Sequence, residues 1–343
     1  MAVYVRADGC IQLGRNVCSD GFVPDTPYRV QTHAHHDHLK DFERSKGAQS
    51  IIMSEPTLEL LIAEFNADLP HRTNISTLPA DGNYYPFGDV QVALFPSGHL
   101  VGGIIPAVED AEVGLVAYAA DFSWPLEKLP TGVDTLVVDA TYGDATFRRN
   151  YTQDDVVNQF LELVRDELRE GRVVFTGHRG RLQYAAQLLA NVFDEPFIFT
   201  RHAKQTLDVF MKHRGFSLEA LEFSDRDAHD ILASGDRCLV FAESRDRLEI
   251  DQLSVDRRIY LSPFMCPREK PVAIYDTLVR VALTDHADFD QTMELIRAVN
   301  PARVIADNSR GGNATALAAS VKGELGIDAS AEIQKRERLW GLG

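Results

Sequence analysis

Residues 33–38 read HAHHDH, which places four of the chain's 11 histidines and an aspartate in six consecutive positions. Crowded imidazoles have no packing value, and each raises the cost of charging its neighbour. A divalent ion, which wants several neutral nitrogens at once, is the chemistry that suits them. In a turn leaving a strand, the alternate residues His33 and His35 can share one side and bind one ion. Asp37 and His38 then face a neighbouring position, so the segment supplies ligands for two ions. His99, after PSG, offers the first ion a third nitrogen, and Asp121 could bridge both ions with its two carboxylate oxygens. Nitrogen and oxygen ligands without a thiolate fit Zn²⁺ or Mn²⁺. A structural zinc is closed by four ligands, whereas these six across two ions leave room for a bridging water.

Short apolar strands must position these residues. YRVQT (28–32) runs into His33, VQVALF (90–95) runs on to His99, GLVAYAA (114–120) into Asp121, and TLVVD (135–139) ends on Asp139. Such runs suit strands buried on both faces. A helix is expected at 54–65, with Ser54 as its cap. From about residue 142 the texture changes. Thr152, Asp155 and Gly171 bracket a long helix, and an α/β series follows: strands at 173–175, 197–200, 238–242 and 258–262, helices at 182–192 and 203–212. The first texture returns with strand 279–283, helix 289–299 (Asp288 and Gln291 forming a capping box), strand 303–306 and helix 314–325. The expectation is an α/β protein whose outer domain, 1–142 and 276–343, is interrupted by a second at 143–275.

Composition sets the outer limits. With 343 residues, 45% of them hydrophobic, the chain can bury two cores. No run of about 18 apolar residues predicts a membrane span, and the N-terminus lacks the layout of a signal peptide, so a cytoplasmic protein is expected. Cys10, Cys18, Cys238 and Cys266 show no CxxC spacing and read as reduced, mostly buried thiols. The formal charge is −16, and of the 35 basic residues 8 are Lys and 27 Arg. Many carboxylates and few lysines suit a salty cytoplasm. A net acidic surface repels nucleic acid in dilute buffer, but at about 1 M salt the Debye length is only about 3 Å and local contacts take over.

Taken in order, H-x-H-x-D-H (33–38), SGHL (97–100) and AADFS (119–123) closely resemble the metallo-β-lactamase superfamily. That resemblance implies an αββα sandwich with a dinuclear site at the strand ends. His33, His35, His99 and Asp121 would hold one metal, and Asp37, His38 and Asp121 the other. SDG (19–21) falls where the family has an early Asp-Gly, which makes Asp20 a supporting residue, although a plain turn aspartate before Gly21 is the other reading. The inserted segment resembles the cap of the β-CASP nucleases. VVDATYGD (137–144) is similar to their E/D-x-T-Y-G segment and GRLQ (180–183) to their G-R-x-Q-E helix start, with Tyr184 in place of the acid. LTDHADF (283–289) is similar to S-x-H-x-D with Thr284 for Ser, and NPARVIADN (300–308) to the last strand of that region.

The resemblance implies a nuclease, in first place an exonuclease of nucleic-acid processing or repair, that hydrolyses RNA or single-stranded DNA with two divalent ions. Zn²⁺ is expected, with Mn²⁺ as the other choice. Asp37 would orient the attacking hydroxide, and His286, oriented by Asp139, would protonate the leaving oxygen. Gly180, Arg181 and Gln183, at a helix start, would offer N–H groups and a guanidinium to a phosphate. One departure concerns the second ion: where the family's RNA enzymes carry a metal-binding histidine, this chain has Asn308 beside Asp307, so the second ion is expected to be weak unless Asp307 turns inward. Asp139, where RNA enzymes more often have Glu, leans with Asn308 towards DNA, while TYG and GRLQ look more like the RNA group. A small-molecule metallohydrolase of the same fold and an inactive RNA-processing scaffold are the alternatives. The insert of about 130 residues speaks against the first and the full ligand set against the second.

Overall fold

The computed structural model of the chain describes residues 3–65, 68–246, 251, 253, 257–262, 270–331 and 333–334. Its architecture is mixed α/β, in two compact units. Met1–Ile62, Ala67–Phe147 and His286–Gly343 form the first, and Ala63–Asn66 with Arg148–Asp285 the second. Among the described residues no helix is long and apolar enough to cross a membrane. Cys10, Cys18 and Cys238 are buried thiols, as expected, and Cys266 lies outside the described residues.

Two seven-stranded sheets build the first unit. One runs Ile333–Gln334, Val3–Arg6, Ile11–Leu13, Val17–Ser19, Tyr28–Val30, Ser50–Met53, Ile75–Thr77. The other runs Asp328–Ser330, Arg303–Asp307, Thr135–Asp139, Gly114–Ala119, Ile104–Asp110, Val90–Pro96, Tyr84–Phe87. The two-residue period of a strand explains how the second sheet serves two cores. Val92, Leu94, Val116, Val137 and Ile305 share a cluster with Val5, Ile11, Leu13, Val30 and Ile52 of the first sheet. Their alternates Ala93, Phe95, Ala117, Leu136, Val138 and Val304 pack instead on Phe289, Met293 and Leu317 of helices Phe289–Val299 and Ala314–Ser320. Asp288 and Gln291 form the expected capping box on the first of these helices.

Strand direction positions the site. Val17–Ser19 and Tyr28–Val30 run parallel, so Asp20 and His33 leave the first sheet by one edge. Gly114–Ala119, Thr135–Asp139 and Arg303–Asp307 are likewise parallel, so Asp139 and Asp307 lie at, and Asp121 just past, carboxyl-terminal strand ends of the second sheet. A main-chain hydrogen bond from Ile104 to the carbonyl of Thr32, at 3.0 Å, joins the two edges.

The second unit holds a third sheet, ordered Ala220–Glu222, Phe197–Phe199, Leu239–Glu243, Val173–Gly177, Arg258–Leu261, Leu278–Val281, Val272–Ile274. Thr152 caps helix Gln153–Glu170 in a box with Asp155, as expected, and Val156, Phe160, Val164 and Leu168 line its buried side. The strand expected at 279–283 differs in its allegiance. As Leu278–Val281 it pairs in parallel with Arg258–Leu261, so the second unit continues to Asp285, past the boundary expected at 275. Such a partner cannot be read from a four-residue strand.

Candidate metal centre

Four donor atoms meet at the strand ends of the first unit. His35 Nδ1 lies 3.1 Å from both His33 Nε2 and His99 Nε2. Asp121 Oδ2 lies 3.4 Å from each of the same two nitrogens. A tetrahedral ion with bonds of about 2.0–2.1 Å spaces its ligand atoms about 3.3–3.4 Å apart, so this cluster has the dimensions of a zinc-sized shell. The four residues form a group that could hold a metal ion. Gly98 makes the approach of His99 possible: with φ +71°, it faces Ser123, and a β-carbon there would lie 2.1 Å from Ser123 Oγ.

Asp20 organises the other side. It follows strand Val17–Ser19 in the left-handed region, φ 54°, and is fully buried. One of its oxygens accepts from Thr32 Oγ1 and lies 2.6 Å from His38 Nδ1; the other accepts from the Thr32 amide and Gln31 Nε2. Burial works to raise its pKa, but the charge of His38 and its hydrogen bond, with Arg310 and His33, hold it down at about 2. A carboxylate behind Nδ1 fixes the His38 tautomer and turns Nε2 outward. That Nε2 is buried without a hydrogen-bond partner, 3.7 Å from both Asp37 Oδ2 and Asp121 Oδ2. A buried, unsatisfied nitrogen is costly, and one facing two carboxylates is what a cation would satisfy. Asp37, His38 and Asp121, the expected ligands of a second ion, are thus neighbours around one unpartnered nitrogen. With its proton committed to Asp20, Thr32 Oγ1 can accept from His33 Nδ1, 3.1 Å away, which leaves His33 Nε2 bare for the first cluster.

The charges suit ligation. Burial, then the charge of His38, lowers the His33 pKa to about 4, against the pull of Asp121, so this imidazole is neutral at neutral pH. For Asp121 burial acts upward, but His286 and the adjacent His33, His38 and His99 hold it well below the usual carboxylate range. Asp139 goes the other way. Burial, then the charges of Asp121 and of Asp307 on the neighbouring strand, push it up to about 8, despite hydrogen bonds from the amide and hydroxyl of Thr141.

Asp139, His286, Asp121 and Tyr142 line one cavity beside Phe122 and Thr292. The Ala287 amide donates to the Phe122 carbonyl at 2.7 Å, and the His286 ring centre is 4.4 Å from that of His99. Asp307 is fully buried, and its oxygens accept from the Ser309 amide at 2.7 Å and Arg310 Nη1 at 3.3 Å. Asn308 Oδ1 is buried without a hydrogen-bond partner among the described residues. In the second unit, Gly180 (φ 93°) precedes helix Arg181–Ala190, and its amide donates to Gln183 Oε1. Gln183 is fully buried and also donates to the Ala203 carbonyl, so both its polar atoms hold the fold together. Arg181 is buried, with Nη1 3.4 Å from Asp285.

Sequence reasoning missed three supports. Arg29 and Gln31, fully buried in and just after strand Tyr28–Val30, both donate to the His38 carbonyl, and Gln31 also to that of His33. Polar residues alternating inside an apolar strand were the available signal. Arg310 was the third; an arginine before Gly311 and Gly312, just past a strand end, was its faint mark.

Fold and site together define a mixed α/β protein with a histidine–aspartate cluster that could hold a metal ion. No family model matches the chain. Over 127 residues it is 32% identical to "Uncharacterized protein in lig 3'region" of Acidianus ambivalens, a match that spans 36% of this chain and 90% of that protein. The chain belongs to the same family as this Acidianus protein.

Proposed function

We propose that the protein is a metal-dependent phosphodiesterase acting on RNA or single-stranded DNA, built as a metallo-β-lactamase sandwich with a β-CASP cap. The observation that carries the reading is the spacing of His33, His35, His99 and Asp121, with His38 Nε2 unpartnered beside them. The motif resemblance and the placing of the site at strand ends support it. The first ion is assigned to that cluster, and a weaker second to Asp37, His38 and Asp121. Bound ions would supply an acidified water and neutralise charge developing on phosphoryl oxygens.

The chain's own groups do the rest. The Asp37 carboxylate, 61% exposed, is placed to take up and orient a proton of the attacking water. Asp20 and Thr32 hold His38 and His33 in the tautomers that keep Nε2 free. His286, in the cavity wall with Asp139, delivers a proton to the leaving oxygen. Separately end-labelled RNA and DNA oligomers, incubated with Zn²⁺ or Mn²⁺ and with chelator, test this. Metal-dependent shortening from one labelled end is expected. A protein that binds metal but cuts neither polymer is a small-molecule hydrolase or an inactive scaffold, and one that cuts fully when shown metal-free by elemental analysis sinks the reading altogether.

A further inference from the structure

Arg310 is an arginine buried among the site's supports, its side chain only 8% exposed. Its donors reach four separate segments. Nη2 donates to the Gly9 carbonyl at 2.7 Å, and Nη1 to Tyr118 Oη at 3.1 Å and Asp307 Oδ2 at 3.3 Å. Nε donates to the main-chain carbonyl of Asp37 at 3.2 Å. The loop carrying Arg310 is set by Gly312 (φ +89°), where a β-carbon would lie 1.9 Å from the Ala140 carbonyl oxygen.

Burying a guanidinium is costly, and an apolar side chain of similar volume often serves stability as well or better. The site gives a reason to keep it. Asp37 lies in the single turn His36–His38, whose main-chain bonds run from His38 to His35 and from Leu39 to His36. The Asp37 carboxylate is largely exposed and makes no hydrogen bond among the described residues; it faces His38 Nε2 at 3.7 Å. On this side of the turn the bond from Arg310 Nε is what ties the Asp37 main chain to the rest of the fold. His38, next in sequence, is instead held from behind by Asp20, Arg29 and Gln31.

We propose that Arg310 is the positioning residue of the second cation position, fixing Asp37 through its backbone while leaving the His33–His35–His99 cluster to other supports. This rests on the metal reading above. Partners beyond the ligands themselves commonly change metal affinity roughly 10- to 100-fold. Calorimetric titration of metal-stripped full-length protein with Mn²⁺, and separately Zn²⁺, is the test, on wild type, Arg310→Met and Arg310→Lys. Melting temperature is followed in parallel. The first ion should bind all three proteins alike, and the second should bind both variants roughly 10- to 100-fold more weakly than wild type. Lysine keeps the charge but cannot reproduce the fork, so its failure to rescue is part of the expectation. Unchanged second-ion affinity overturns the proposal. So does tighter binding in Arg310→Met, which would make the guanidinium only a repelling charge. Loss of both ions together with a fall in melting temperature means a structural role alone. Wild type that binds no metal brings down the metal reading itself, and wild type that binds one ion only removes the second position.

Discussion

At the residue scale, the strand-end carboxylates split into two kinds. Asp121 and Asp20 are held ionised by imidazoles, whereas Asp139 keeps its proton up to about pH 8 through burial and the neighbouring Asp121 and Asp307. A carboxyl whose folded pKa is raised adds stability below its ordinary range, and that stability is lost as pH rises through the folded value. Metal-stripped wild type should therefore lose melting temperature as pH climbs from about 4 to about 8 and level off above that, and Asp139→Asn should flatten that loss. Equal slopes for the two proteins would refute the assignment. Removing a donor from the four-atom cluster tests the other kind. His35→Ala or Asp121→Ala should each lose at least one equivalent of bound metal by elemental analysis and nearly all cleavage, and full occupancy in either variant would count against the cluster. Much of this site was legible in sequence because its donors are contiguous (33–38) or lie in short motifs at strand ends. Arg310 was not, because its partners Gly9, Asp37 and Tyr118 are 301, 273 and 192 residues away along the chain.

At the scale of elements, legibility followed length. Helix Phe289–Val299 matches its expected bounds, since three turns give a full apolar period and Asp288 with Gln291 marks the start. Strands Ile11–Leu13, Val17–Ser19 and Ala220–Glu222 were invisible, because three residues cannot display an alternation. Capping of helix Phe289–Val299 matters to the site because the preceding residues are His286 and Ala287. Asp288→Ala removes the acceptor for the Gln291 amide and should cost about 1 kcal/mol in denaturant unfolding. A loss of cleavage well beyond that, with bound metal unchanged, is expected from a looser His286. Unchanged stability would show that the cap contributes nothing.

For the whole molecule, a charge of −16 makes self-repulsion a general cost that salt relieves. Melting temperature should rise with added KCl. Nucleic-acid affinity normally falls steeply as salt rises, so the cleavage rate is expected to pass the dilute-buffer value before declining. A rate and a melting temperature that both fall steadily from dilute buffer upward would remove the salt-adapted reading.

The bond from Arg310 to the Asp37 carbonyl also sets a clock. A chain is made from its N-terminus at about 5–20 residues per second, so the histidine turn precedes its distant anchor by 273 residues, or roughly 14–55 seconds. Throughout that interval the histidine turn is without its contact to Arg310. On the proposed metal reading, an ion captured early would be held by a half-built grip, and the second position would acquire its mature affinity only once the far end of the fold had emerged and docked.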